Sequence, residues 1–300
     1  MELSGLHFLL TYKCTYECDH CFVWGSPDQS GVFTLAQLED VFQQALDLGT
    51  VREMYFEGGE PFLYHPILLH AVARAHALGF WTGIVSNGYW ATTVDDAAAW
   101  LRPLMEAGLD SIDVSRDELH GLEPDTAGNA VAAAERLSLE VSPIAIEAPT
   151  GYCDPAGFEP GAPITGGGVR YRGRAAENLV EGLPRLAWES FDTCPWENLT
   201  DPGRVHVDPL GYLHLCQGVV IGNLFENPLK EIVAAYDPAA HPVVGPLLEG
   251  GPVELVRRYG LAHEEGYVDA CHLCYRARVA LRERFPEVLA PGNVYGEMSE

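Results

Sequence analysis

The sequence predicts an α/β fold built on a parallel sheet, and three observations carry that expectation. Short apolar or β-branched runs alternate with longer stretches of helical periodicity through the first half of the chain, which is how strand-helix-strand units read. With 300 residues, 47% of them hydrophobic, the chain can bury a large core as one domain, or as one domain with a small appendage. After about residue 150 the texture changes: Thr150 to Gly168 is rich in Gly and Pro, and Gly166, Gly167 and Gly168 stand in a row. A loop there separates the main region from a smaller one.

Leu6 to Thr11 reads as the first strand. Thr34 with Gln37 three residues on is a capping-box pattern, so a helix is expected from there to about Leu48, stopped by Gly49. Further strands are expected at Glu53 to Glu57, Phe80 to Ser86, Ser111 to Ser115, Ser142 to Glu147 and Val169 to Arg172, with helices near 66–78, 94–107 and 126–138. Pro103 predicts a kink in the second of these helices. Six such units fall short of the eight that close a barrel, so residues 1–185 are expected to form an open, partial (β/α)6 TIM-like barrel, with the Gly/Pro-rich stretch as a lid. Residues 186–300 form the second expected domain. It carries strand patterns at Val205 to Val207 and Tyr212 to Leu215, a hairpin turn at Asp208-Pro209-Leu210-Gly211, helices near 228–236 and 252–264, and a helical tail from Cys274 to about Arg284.

The formal charge of −25, with 18 Lys and Arg in all, of which only Lys13 and Lys230 are lysines, argues against nucleic acid as a partner, because nucleic-acid binders concentrate cationic side chains in patches. No apolar run approaches the roughly 18 residues of a membrane span, and no basic-then-apolar signal precedes the first strand. A cytoplasmic protein is expected. Its 8 cysteines fall in tight clusters within a chain too large to need disulfide staples, which suits metal ligands in a reducing compartment.

Cys14, Cys18 and Cys21 stand at Cys-x3-Cys-x2-Cys spacing just after the first strand. Iron-sulfur cubanes take one thiolate per iron, so three close thiolates predict a cluster with one iron left for a small molecule. The same spacing also suits part of a zinc site or three free thiols. A second group, Cys194, Cys216, Cys271 and Cys274, has the four donors of a complete 4Fe-4S site or of a four-thiolate zinc site. Cys153, in the Gly/Pro-rich loop, is left over: an ordinary thiol, or a hydrogen donor or substrate ligand near a reactive centre. Glu57-Gly58-Gly59-Glu60-Pro61 ends the expected second strand, Ser86-Asn87-Gly88 the third and Ser115-Arg116-Asp117 the fourth. These loops lie at the carboxyl ends of parallel strands, where β/α folds carry their sites.

Together, Cys14-x3-Cys18-x2-Cys21-Phe22 and Gly58-Gly59-Glu60-Pro61 resemble the radical S-adenosylmethionine (SAM) superfamily. The second half resembles its SPASM/twitch branch, in Val205 to Cys216 and Ile221-Gly222-Asn223-Leu224. The four cysteines there match the shorter twitch form with a single auxiliary cluster, as in aminocyclitol dehydrogenases, rather than the cysteine-richer full SPASM pattern. The resemblance implies a SAM-binding 4Fe-4S cluster on Cys14, Cys18 and Cys21 and an auxiliary 4Fe-4S cluster on the second set. It further implies reductive cleavage of SAM to a 5′-deoxyadenosyl radical, and hydrogen abstraction from a small polar metabolite of sugar or aminocyclitol type. Modification of a ribosomally made peptide is the rival, with Cys153 as a hydrogen donor if the reaction is an epimerisation. A non-catalytic zinc or electron-transfer protein is the alternative of another class.

By position in the family pattern, Gly58, Gly59, Glu60 and Pro61 would lie along the methionine amino group of SAM, and Ser86, Asn87 and Ser115 near its carboxylate or ribose. Phe22 would pack on the adenine, with Tyr16 and His20 inside the cluster loop. Arg174, in Gly173-Arg174-Ala175, would pair with the SAM carboxylate or serve only as a surface ion pair. A flavodoxin or ferredoxin is the implied electron donor. Arg276, Arg278, Arg282 and Arg284 offer a docking patch for it, or simply a solvated helix face.

Overall fold

The computed structural model describes residues 1–121 and 124–298. Leu122, Glu123, Ser299 and Glu300 lie outside the described residues, the first two within the expected barrel region and the last two within the expected second domain.

The chain begins with β1 (Gly5–Thr11), α1 (Leu35–Leu48), β2 (Glu53–Gly58), α2 (His65–Ala77), β3 (Trp81–Ser86), α3 (Val94–Glu106), β4 (Ser111–Ser115), α4 (Thr126–Arg136), β5 (Glu140–Ile146) and β6 (Gly166–Gly167). Strands β1 to β6 pair in order and in parallel, the alternation expected of a partial barrel. Every residue of β1 is buried, as befits a strand at the centre of a parallel sheet. Helix α1 starts at the expected capping box, in which the Thr34 hydroxyl accepts from Gln37 N while the Thr34 N–H donates to the Gln37 side chain. It ends at Gly49, which adopts φ +79°, and buries Leu38, Val41, Phe42 and Ala45 along one stripe. Replacing Thr34 by alanine should remove about 1 kcal/mol of stability, measured as a lower urea midpoint with an unchanged slope. Pro103 lies inside α3.

The remaining elements are α5 (Ala175–Asn178), β7 (Leu186–Ala187), β8 (Arg204–Val207), β9 (Tyr212–Cys216), β10 (Val219–Asn223), α6 (Leu229–Ala235), α7 (Val244–Tyr259), β11 (Gly266–Tyr267) and α8 (Ala270–Leu281). The sheet does not stop at β1. Strand β8 pairs parallel to β1 on the edge opposite β2, and β9 and β10 continue it antiparallel, giving nine strands in the order β10-β9-β8-β1-β2-β3-β4-β5-β6. Strands β7 and β11 form a separate antiparallel pair. The turn at Asp208 to Gly211 joins β8 to β9 as expected, with Gly211 at φ +89°.

Three expectations need correction. Val169 to Arg172 is not a strand: the sixth strand is the two-residue β6, which pairs with Ala145 and Ile146. The Tyr171 N–H goes to the Asp269 carboxylate, and the Arg172 N–H turns tightly back to Arg170 O, which leaves no ladder to extend. The helix expected at 252–264 spans Val244–Tyr259, with non-helical Gly250 and Gly251 interrupting it, and stops at left-handed Gly260. The tail helix begins at Ala270, capped by the Asp269 carboxylate accepting from His272 N, and so carries both Cys271 and Cys274 in its opening turns.

Side-chain alternation along the strands divides the sheet into two chemistries. One face holds Leu6, Phe8 and Leu10 of β1, Met54 and Phe56 of β2, Ile84 of β3, and Val205 and Val207 of β8, all buried in one apolar core. The other face lines a cavity with His7, Tyr55, Glu57, Val85, Asp113, Ser115, Arg204 and His206.

Candidate functional site

The cavity, of about 230 Å³, extends from the loop after β1 down the polar face of the sheet. Cys14, Cys18 and Cys21 line one end of it, with Tyr16, His20 and Phe22 from the same loop. Among the described residues all eight cysteines are free thiols. Burial pushes the Cys14 and Cys18 thiols up to about 12, with the charges of Glu60 and Cys21 adding to the shift at Cys14 and those of Cys21 and Cys14 at Cys18. Thiols of this kind keep their protons unless a cation takes their place. Backbone N–H groups of Tyr16 and Gly25 point at the Cys14 and Cys21 sulfurs from 3.4 and 3.2 Å, and the Asn87 amide reaches Cys14 from 3.5 Å. Converging sulfurs with N–H donors around them suit an iron-sulfur group.

The loop after β2 lies backbone against backbone on the segment leading to Cys14. Gly58 has φ +130°, and a Cβ at Gly59 would stand 2.1 Å from Lys13 O, so only glycine permits this approach. Gly59 N and Glu60 N donate to Thr11 O and Lys13 O. The Glu60 side chain is fully buried beneath this loop; it accepts from Phe62 N, Ser86 Oγ and Asn87 N at 3.0, 3.0 and 2.8 Å. Its burial nevertheless raises the carboxyl to about 7. Glu60 thus ties the end of β3 to the loop after β2, and Asn87 carries the tie onward to Thr15 and Cys14. Gly58, Gly59, Ser86, Asn87 and Ser115 line the cavity; Glu60 and Pro61 stand behind it, Pro61 opening a short 3-10 turn.

Arg174 is buried under the cysteine loop, donating to Cys18 O at 2.7 Å and Gly25 O at 3.0 Å, with Glu17 3.7 Å away. Gly173, at φ +60°, lets this segment pack on Cys21 and Phe22. Arg174 is therefore neither a surface ion pair nor a free fork in the cavity. It braces the loop. Cys153 is half-buried behind Gly168, a cavity residue whose Cβ would sit 2.9 Å from the Cys153 sulfur.

Cys194, Cys216, Cys271 and Cys274 line a second, smaller cavity together with Arg172, Glu197 and Arg278. Burial raises the Cys194 thiol to about 12 and those of Cys271 and Cys274 above their usual range. Arg172 donates to Cys216 Sγ at 3.1 Å and to Glu197 at 2.7 Å. Arg278 donates to Gln217 O and packs between the rings of Tyr275 and Tyr295, with no carboxylate salt bridge among the described residues. A buried guanidinium left without an anion is costly. Four thiolates spread over an iron-sulfur cluster would supply that anion. The inward turn of Arg278, and the pairing of Arg282 with Glu297, dissolve the docking patch expected from the four tail arginines. Arg172 and Glu197 line both cavities, so a single ion pair separates the two cysteine sets' spaces.

Sequence reasoning passed over the strand-borne polar groups. His7 Nδ1 and His206 Nε2 lie 2.9 and 3.0 Å from the same Glu57 oxygen. Burial alone would raise the Glu57 carboxyl, but His206 and His7 outweigh it and hold it below the usual carboxylate range, while burial lowers His206 to about 4. Asp113 is pushed up to about 6 by burial and by the charge of Glu57. The sequence signal was a polar residue set among apolar ones in a strand, as in Leu6-His7-Phe8, Met54-Tyr55-Phe56-Glu57 and Val205-His206-Val207.

Comparison with known proteins agrees with this geometry. Residues 8–125 match the Radical SAM superfamily. A probable GTP 3′,8-cyclase of Methanothermobacter thermautotrophicus is 33% identical over 119 residues, 39% of this chain and 36% of that protein. An S-adenosylmethionine-dependent nucleotide dehydratase of Pseudoalteromonas ulvae is 30% identical over 105 residues, 30% of this chain and 34% of that one. The chain thus spans about a third of the length of the curated relatives it matches. Among solved structures, native anSMEcpe with bound AdoMet superposes with TM-score 0.50 at 12% identity, over 95% of this chain and 98% of that one, a likeness of fold. Residues 8–125 are thus similar to the Radical SAM superfamily, whose members bind a 4Fe-4S cluster and SAM. No helix among the described residues is long and apolar enough to cross a membrane.

Proposed function

We propose that this chain is a radical SAM enzyme that oxidises a small polar metabolite of sugar or aminocyclitol type in the cavity of its partial barrel. The observation that carries the reading is the cavity itself: three thiols at one end and hydrogen-bonding side chains on the sheet below them, in one continuous space. Cys14, Cys18 and Cys21 would hold the SAM-binding cluster, and Gly58, Gly59, Ser86, Asn87, Ser115 and Phe22 would surround SAM. Bound there, the pair supplies reductive cleavage of the sulfonium and hydrogen abstraction by the adenosyl radical. What this chain adds is position: Glu60 and Arg174 brace the loops that carry the ligands, and the mostly apolar lining of the cavity limits the water beside the reacting centre.

Residues 186–300 form the auxiliary-cluster, twitch-like region in this reading, with Cys194, Cys216, Cys271 and Cys274 holding a second 4Fe-4S cluster that takes the second electron of the oxidation. The support is the shared wall of Arg172 and Glu197 and the buried cations facing the thiols. A flavodoxin or ferredoxin in the cytoplasm would deliver the electron that starts the cycle.

Anaerobic reconstitution tests the reading. About eight irons per chain are expected with both sites filled, together with 5′-deoxyadenosine formed on adding a reductant and SAM. Stoichiometric zinc without SAM cleavage would instead make the chain a structural or electron-transfer protein. A ketone on a small substrate supports the metabolite reading, and a loss of two hydrogens from a peptide supports its rival. Cys271→Ala should lose about four irons yet keep cleaving SAM, uncoupled from substrate. Complete loss of cleavage in a folded, half-loaded variant would remove the division of labour between the sites.

A further inference from the structure

At the lower end of the cavity three adjacent strands present one donor each to a common point. The register sets His7 of β1 directly opposite His206 of β8 and Tyr55 of β2, with Glu57 two residues beyond Tyr55 on the same face. Gly83 of β3 pairs with Tyr55 and leaves room for its ring, since a Cβ there would stand 2.4 Å from the Tyr55 ring. Tyr55 in turn stacks on His7 at 4.8 Å. The donor atoms of His7, Glu57 and His206 all lie within 4.8 Å of one another, and both imidazole contacts converge on Glu57 Oε1.

We propose that His7, Glu57 and His206 form a binding site for a divalent first-row transition cation of zinc-like preference, with its open positions facing the cavity. Donors held about 2.1 Å from one ion stand about 3.4 Å apart at the tetrahedral angle and about 3.0 Å at a right angle; the imidazoles lie 2.9 and 3.0 Å from the carboxylate oxygen, so a tetrahedral ion would spread the three donors by a few tenths of an ångström. Two imidazoles and one carboxylate are the donor set of zinc sites that keep room for a further ligand. The outer groups suit ligation as well: the Gln217 amide lies 3.3 Å from His206 Nδ1 and, turned about its axis, accepts that N–H, the usual restraint on a metal-bound imidazole.

The charge balance points the same way. Glu57 makes no salt bridge with Lys or Arg among the described residues, and the guanidinium of Arg204, which also lines the cavity, is engaged with Gly161 O and Ala162 O. A divalent ion would balance Glu57 and, nearby on β4, Asp113. His7 stands four residues before the end of β1, roughly 13 Å below the cysteine loop along the strand, so this site is separate from the thiols. Its role would be to hold vicinal hydroxyl or carbonyl oxygens of a polyhydroxylated substrate. That role rests on the reading of the cavity as a radical SAM active site; the binding of the cation does not.

The test uses protein reconstituted anaerobically so that iron and sulfide fill the thiol sites, then dialysed against Co(II) alone. One equivalent of cobalt beyond the iron is expected, with weak visible ligand-field bands, no strong thiolate charge-transfer band, and displacement by Zn(II). Glu57→Gln, which keeps the side chain's shape, and His206→Ala should each weaken uptake by more than the about 10- to 100-fold that loss of an outer hydrogen-bond partner costs, in samples whose iron content and circular dichroism match the wild type. Uptake of no extra cobalt, a thiolate charge-transfer band, or equal uptake in a folded Glu57→Gln protein would overturn the proposal. SAM cleavage measured on the same samples separates the two readings: cobalt bound without cleavage keeps the cation site and discards the radical SAM reading, and cleavage without cobalt does the reverse.

Discussion

Alanine at Cys18 is expected to bring 5′-deoxyadenosine formation down to the no-enzyme background, a loss of at least about a thousandfold, because electrostatic and covalent steps that depend on one assembled group fail together when it is not assembled. The protein should stay folded. Cys18 sits in the loop after β1, held there by Arg174 from below and by the Gly173 approach to Cys21, and its thiol contributes nothing to the apolar core. Iron should fall by about four per chain while the second set remains filled. Iron analysis and anaerobic product quantification check both halves. Cleavage that survives in Cys18→Ala at more than a few per cent would mean that the open-iron site lies elsewhere.

Gly59→Ala should be almost as damaging for a different reason. The added methyl would meet Lys13 O at 2.1 Å, Lys13 C at 2.5 Å and Tyr12 O at 2.8 Å, all of them backbone atoms that cannot rotate away. Either the loop after β2 or the segment carrying Cys14 must shift. Overpacking of this sort costs about 1–3 kcal/mol, and the shift breaks the hydrogen bonds of Gly59 N to Thr11 O and Glu60 N to Lys13 O. The expected result is a modest fall in urea midpoint together with loss of iron from the first set. A Gly59→Ala protein with full iron and full SAM cleavage would show that this backbone contact does not set the cysteine loop.

Much of this architecture was legible in the residues. The capping box at Thr34 and Gln37 placed α1 to within a residue, and apolar runs bounded by turn residues marked β1 to β5, of which β1 to β4 bury residues in the core while β5 is largely exposed. Local signals failed where the backbone obeys distant partners. Val169 to Arg172 has the composition of a strand, yet Asp269, 98 residues away from Tyr171, takes the N–H a ladder would have used. The pairing of β8 with β1 carries no local signature either: it joins residues about 200 positions apart. At the site, cysteine spacing and the Gly-Gly loop were visible because metal ligands and close backbone approach restrict residue choice sharply. The bracing role of Arg174 and the inward turn of Arg278 were not, since an arginine reads as a surface residue until its surroundings are known. The His7, Glu57 and His206 group was hidden for a simpler reason. Each member stands in a strand whose hydrophobic neighbours dominate the pattern, and only the register brings the three together.

Because β8 covers the far edge of β1, the innermost strand of the sheet waits for a partner that leaves the ribosome nearly two hundred residues later. Until then the nascent barrel displays a long, apolar, unsatisfied border, the kind of border to which stray strands adhere. Completing the fold is therefore a long-range closure with a correspondingly slow step. The stretch that closes it is the one that ends at Asp208, whose carboxylate receives the Tyr12 hydroxyl at 2.6 Å. The cysteine loop's own foundation is thus set only when residues about 200 positions downstream return to the chain's beginning.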